Sequence, residues 1–109
     1  MSLVVGFKTK HIKGAVRLKF GQYKNGRTSI ELYSDGDQGP VPEAKATVNV
    51  PEAKLDPDHV LLKGWSENEG IPEALEAVGV VELTGRTVPT GHVHAVEARL
   101  LIKEDQNDE

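Results

Sequence analysis

A chain of 109 residues makes one ordinary domain, and a 38% apolar content with five aromatic residues predicts a modest aliphatic core. There is no cysteine, which excludes disulfides, thiolate metal sites and cysteine nucleophiles. The net charge of −4 comes from the end of the chain: Glu104, Asp105, Asp108 and Glu109 fall in the last six residues, and without them the body is formally neutral.

No apolar run approaches the ~20 residues that a membrane span needs. The start carries Lys8, Lys10 and Lys13 but no apolar stretch of the signal-peptide kind. These features point to the cytoplasm. The expected organisation is a basic N-terminal arm over residues 1–14, a single domain over 15–103, and a disordered acidic tail over 104–109.

Residues 15–33 read as a hairpin. Val16, Leu18 and Phe20 alternate with Arg17, Lys19 and Gly21, and Ile30 and Leu32 alternate with Ser29, Glu31 and Tyr33. A two-residue Asn25-Gly26 loop would pair Phe20 with Glu31 and mix core with solvent. A three-residue loop, Lys24-Asn25-Gly26, pairs Phe20 with Ile30 and Leu18 with Leu32, and gives Gly26 the left-handed bulge position. It also sets Lys19 opposite Glu31 and Arg17 opposite Tyr33. Residues 34–43, with two glycines and two prolines, read as an exposed loop.

A third strand is expected at 44–50, ended by Pro51, and a fourth around Val60 to Lys63. The segment Trp65 to Gly79 holds the one convincing helix, with Ile71, Ala74, Leu75 and Val78 on one face. Ser66 and Glu69 have capping-box spacing, but a start there would put Pro72 in the second turn. We therefore expect a separate turn at 66–69, a helix over about 70–78, and Gly79 as its left-handed terminator. Val80 to Leu83 reads as a short strand, Gly85 to Gly91 as a glycine-bracketed loop, and His92 to Lys103 as the last and longest strand.

Four groups of residues carry candidate chemistry. Trp65, Glu67, Asn68 and Glu69 offer an aromatic anchor with polar neighbours, although a Trp beside a lone helix also serves as a lid and acids near a helix start also answer its dipole. Arg86 and Thr87, with backbone N–H groups, would suit an anion, although the spacing is not that of a phosphate loop. Arg17, Lys19, Tyr23, Lys24 and Arg27 make a basic hairpin face of the kind that binds single-stranded nucleic acid, or a merely solvated one. His92 and His94 project to one strand face with Val96, Ala98 and Leu100. A metal there would need a third ligand; His59, His11 or an acid could supply one, but nothing in the sequence brings them together, and a partly buried, hydrogen-bonded pair is the preferred reading. Glu97 lies on the opposite face and reads as a poor partner for them. No catalytic set, cofactor site or resident metal is legible.

Four blocks together carry a resemblance: Phe20-Gly21-x-Tyr23-x-Asn25-Gly26-Arg27, Ala46-Thr47-Val48-Asn49, Trp65-Ser66-Glu67-Asn68-Glu69-Gly70 and Gly85-Arg86-Thr87-Val88-Pro89-Thr90-Gly91. Over about residues 15–100 the chain resembles a family of small uncharacterised proteins encoded on plasmids, phages and integrated elements of bacteria. It departs from that pattern at Pro72 and at the His92-x-His94 strand. The resemblance implies a genomic setting and no mechanism.

The expected protein is an α+β domain of about six mostly antiparallel strands in a curved or barrel-like sheet, with one short amphipathic helix at about 70–78. The expected role is a non-enzymatic binding or accessory one, through loops 65–70 and 85–91 toward a protein partner. Nucleic-acid binding is the alternative, and a small His-dependent metal enzyme stands third.

Overall fold

The computed structural model describes residues 2–102. Its elements run β1 (Ser2–Lys8), β2 (Lys13–Gln22), β3 (Thr28–Gly36), β4 (Gly39–Lys45), β5 (His59–Leu62), a 3₁₀ turn (Ser66–Asn68), α1 (Ile71–Ala77), β6 (Val81–Thr90) and β7 (Val93–Leu100). The α+β class with antiparallel pairing holds. The single curved or barrel-like sheet does not: the strands form two sheets, ordered β1-β2-β3-β4 and β5-β7-β6. Residues 46–48 explain the division. The Ala46 N–H donates to the Ile30 carbonyl of one sheet, while the Lys63 N–H donates to the Ala46 carbonyl and the Val48 N–H to the Leu61 carbonyl of the other. Thr47 makes an isolated bridge to Leu62. The segment is a seam bonded to both sheets, so the strand expected at 44–50 stops at Lys45.

In the four-stranded sheet the β2–β3 register is the expected one: Arg17 faces Tyr33, Leu18 Leu32, Lys19 Glu31 and Phe20 Ile30. The Tyr23 N–H donates to the Arg27 carbonyl at 2.8 Å, which closes the three-residue loop, and Gly26 has φ +88° as its position requires. The supposed loop at 34–43 is a second hairpin. β3 continues to Gly36, Asp37 and Gln38 turn, and β4 returns. Pro40 and Pro42 are compatible with a strand here because β4 is an edge, where a missing N–H breaks no ladder. The basic arm is also corrected over most of its length: Ser2–Lys8 is β1, paired with β2 at seven positions. Leu3, Val5 and Phe7 pack toward the core, and the lysines that suggested an arm sit at the strand end and on the following tip.

The turn-then-helix reading holds. Gly70 caps α1 at φ +88°, and Pro72 falls in the first turn. At the other end Gly79 has φ +82°, its N–H donates to the Glu76 carbonyl, and the Val80 N–H donates to the Leu75 carbonyl. That is the paired Schellman closure, with buried Val80 and Leu75 as its apolar contact. The loop expected at 85–91 is strand: β6 runs through Val81–Thr90, with a register shift between Leu83 and Thr87 where Gly85 takes φ +89°. β7 is eight residues against ten in β2 and β6, so it is not the longest. The acidic tail lies outside the described residues.

Apolar side chains gather in two clusters. The main core lies between the two sheets and α1, built on Val16, Leu18, Ile30 and Leu32 from one side, Val60, Leu62, Val81 and Ala98 from the other, and Ile71 and Leu75 from the helix. The smaller cluster lies on the far face of the three-stranded sheet. Val50, Leu61 and Ala95 form it, and Val48, Leu55, Trp65 and Val88 pack against it. β5 is therefore buried on both faces, which is why Val60-Leu61-Leu62 does not alternate.

Candidate functional site

The far face of the three-stranded sheet carries the densest polar chemistry in the molecule. Cross-strand pairing sets Leu61 opposite Glu97, His59 opposite Arg99, and Glu82 opposite Arg99. Glu97 thus sits between apolar Ala95 and charged Arg99 on β7, with a side chain only 3% exposed. A carboxylate so buried needs charge and hydrogen-bond partners. His59 brings Nδ1 to 2.5 Å from Oε2. Arg86 brings Nε to 3.4 Å from Oε1, an ion pair that does not meet hydrogen-bond geometry and leaves Oε1 without a donor.

The β6 bulge positions this arginine. The Thr84 hydroxyl donates to the Glu97 carbonyl at 3.2 Å and accepts from the Arg86 N–H at 3.2 Å, so the irregular backbone is pinned to β7 beside the carboxylate. The other imidazole nitrogen, His59 Nε2, lies 3.7 Å from Asp58 and 3.8 Å from Asp56. Arg99 and Glu82 close the outer end with a 2.7 Å contact. A carboxylate on Nδ1 orients an imidazole as in acyl-transfer triads. Here the groups near the other nitrogen are the Asp56 and Asp58 carboxylates rather than a nucleophilic hydroxyl. The arrangement ties the Asp56–Asp58 turn, β7 and the β6 bulge together. Among the described residues no group of three or more His, Asp or Glu is arranged to hold a metal ion.

The expected binding residues divide. Trp65 is half-buried over the small cluster, against which Val88 also packs, so the start of the 65–70 turn and the outer part of β6 share one face. Arg86 is 70% exposed on that face, and Glu67 is exposed in the turn. Asn68 turns inward instead: it is buried, and its side-chain amide donates to the Lys45 carbonyl at 2.8 Å. Glu69 is exposed and 3.8 Å from Lys10. Thr87 pairs with Val96, one residue out of phase with Val88, and so belongs to the opposite side of the strand.

The basic hairpin face is largely engaged. Arg27 donates to the carbonyls of Val50, at 2.8 Å, and Ala53, holding the 50–53 turn. The Tyr23 hydroxyl shares a 2.9 Å hydrogen bond with Thr47, and its ring lies 5.4 Å from the Lys45 ammonium. Arg17 faces Asp35 at 3.5 Å, Lys19 stands opposite Glu31, and Lys24 is exposed at the loop. An open groove of about 260 Å³ lies beside the β3–β4 bulge, with Glu31, Tyr33, Glu43 and Lys45 in its wall. The histidine pair is corrected: His92 lies in the β6–β7 turn, His94 is exposed opposite Pro89, and neither is partly buried. The histidine with a buried partner is His59, and the partner is Glu97. The available signal was the unalternating Val60-Leu61-Leu62 run, which says that its sheet is covered on both faces.

No helix among the described residues is long and apolar enough to cross a membrane. No family model, no curated protein and no solved structure matches the chain.

Proposed function

We propose that the protein is a non-enzymatic binding module whose contact surface is the far face of the three-stranded sheet, with a protein as partner. The observation that carries this reading is the packing of half-buried Trp65 and Val88 against one small apolar cluster, with exposed Arg86 on the same face. An aromatic anchor, a strand residue and a flanking arginine are the residue types that concentrate binding energy. Asn68 and Thr87 drop out of the surface, since one supports the fold and the other faces away. A cytoplasmic location and the mobile-element setting belong to the same proposal. Nucleic-acid binding has less to draw on, because Arg27 and Tyr23 are committed to internal contacts.

Affinity capture with wild type, Arg86→Glu and Glu67→Arg tests the proposal. A partner held by wild type and lost by both folded variants supports it. Equal capture by all three, or salt-sensitive retention of nucleic acid alone, overturns it.

A further inference from the structure

The two sheets have four edges, and three of them are blocked. β4 carries Pro40, Pro42 and a register shift. β6 carries Pro89 and the Gly85 bulge. β5 is bonded along its outer side by Thr47 and Val48. Prolines, bulges and covering segments are the usual devices that keep a sheet edge from pairing with another chain. β1 shows none of them among the described residues: it has no proline, its pairing with β2 runs through seven positions without a shift, and its charged residue, Lys8, stands at the end. Val4 on its outer face is 55% exposed, and Leu3 and Val5 are only partly buried at the margin of the core.

We propose that β1 pairs antiparallel with β1 of a second copy of this chain, forming one eight-stranded sheet across a two-fold axis at Val5. This register is self-complementary: Leu3 of each copy faces Phe7 of the other, and Val4 faces Gly6. A Cβ on Gly6 would have no heavy atom within 4 Å, so the space above it is open to the facing Val4. Leu3, Val5 and Phe7 would continue the apolar inner face from one copy into the next.

Charge selects the antiparallel arrangement. The β1–β2 tip holds Lys8, Lys10, His11 and Lys13, and Glu69 contacts only Lys10, at 3.8 Å. A parallel pair would bring two basic tips together. The antiparallel pair separates them by about 20 Å, the length of a seven-residue strand. The interface is a different surface from the far face proposed above and does not depend on it.

Sedimentation velocity across a hundredfold concentration range, with hydrogen exchange at both ends of that range, tests the proposal on the full chain. The expected result is a monomer–dimer shift, with the alternate β1 amides that face away from β2 exchanging about tenfold or more slowly at high concentration. Val4→Lys places each new lysine diagonal to its counterpart and to Lys8 of the other copy, and should abolish the shift at low salt without changing the monomer's circular dichroism. A wild type that stays monomeric with those amides exchanging freely overturns the proposal. So does protection independent of concentration, which would mean that the chain's own end covers the strand, or a Val4→Lys variant that dimerises like wild type.

Discussion

The two sheets differ in how many faces they bury. The four-stranded sheet has one dry face, with Val16, Leu18, Ile30 and Leu32, and one wet face, where Arg17, Lys19, Glu31 and Tyr33 stand. The three-stranded sheet is dry on one face and half-dry on the other, where the small cluster gives way to Glu97, His59 and Arg86. One-sided burial produces alternation and leaves charge in water, where it contributes little to stability. Two-sided burial removes alternation and carries charge inward, where each partner becomes necessary to the others.

This contrast orders the expected effects of substitution. Leu18→Ala, in the fully buried row of the first sheet, should cost about 3–5 kcal/mol in denaturant unfolding. His59→Ala leaves Glu97 buried with only the loosely placed Arg86, and should cost about 3 kcal/mol. The His59→Leu/Glu97→Leu double variant should recover much of that loss, because the charge and its partner leave together. If the double variant is as unstable as the sum of its parts, the network does more than neutralise itself.

Arg27→Ala gives up the contacts to the Val50 and Ala53 carbonyls and should cost about 1.5–3 kcal/mol, with faster exchange at the Ala53 amide. Arg17→Ala, on the wet face beside exposed Asp35, should change stability by less than about 1 kcal/mol. A large loss there would mean that the two outer faces are not as different as their burial suggests.

The same contrast governs what was legible in the sequence. The β2–β3 register followed from alternation and the three-residue Lys24-Asn25-Gly26 turn, because one face had to be wet. The 66–69 turn and the short helix followed from Pro72 and Gly79, whose constraints are local. The 34–43 hairpin was missed because prolines read as breakers until the strand is known to be an edge. The outer half of β6 reads as a loop at 85–91 because a glycine bulge and a turn look alike in sequence. β1 was hidden by its lysines, which mark only its end. Of the candidate site, Trp65 and Arg86 were legible as unusual side chains. His59 and Glu97 were not, since a glutamate alternating with apolar neighbours reads as solvent-facing until β5 is placed beside β7. The pairing of distant strands decides that, and no local pattern encodes it.

Photo-crosslinking from position 67, beside Trp65 on the far face, tests the proposed contact surface most directly. The prediction is a discrete protein adduct from position 67 that disappears on Arg86→Glu and does not form from position 19 on the wet face of the other sheet. No adduct from 67, together with a protein or nucleic-acid adduct from 19, would contradict it.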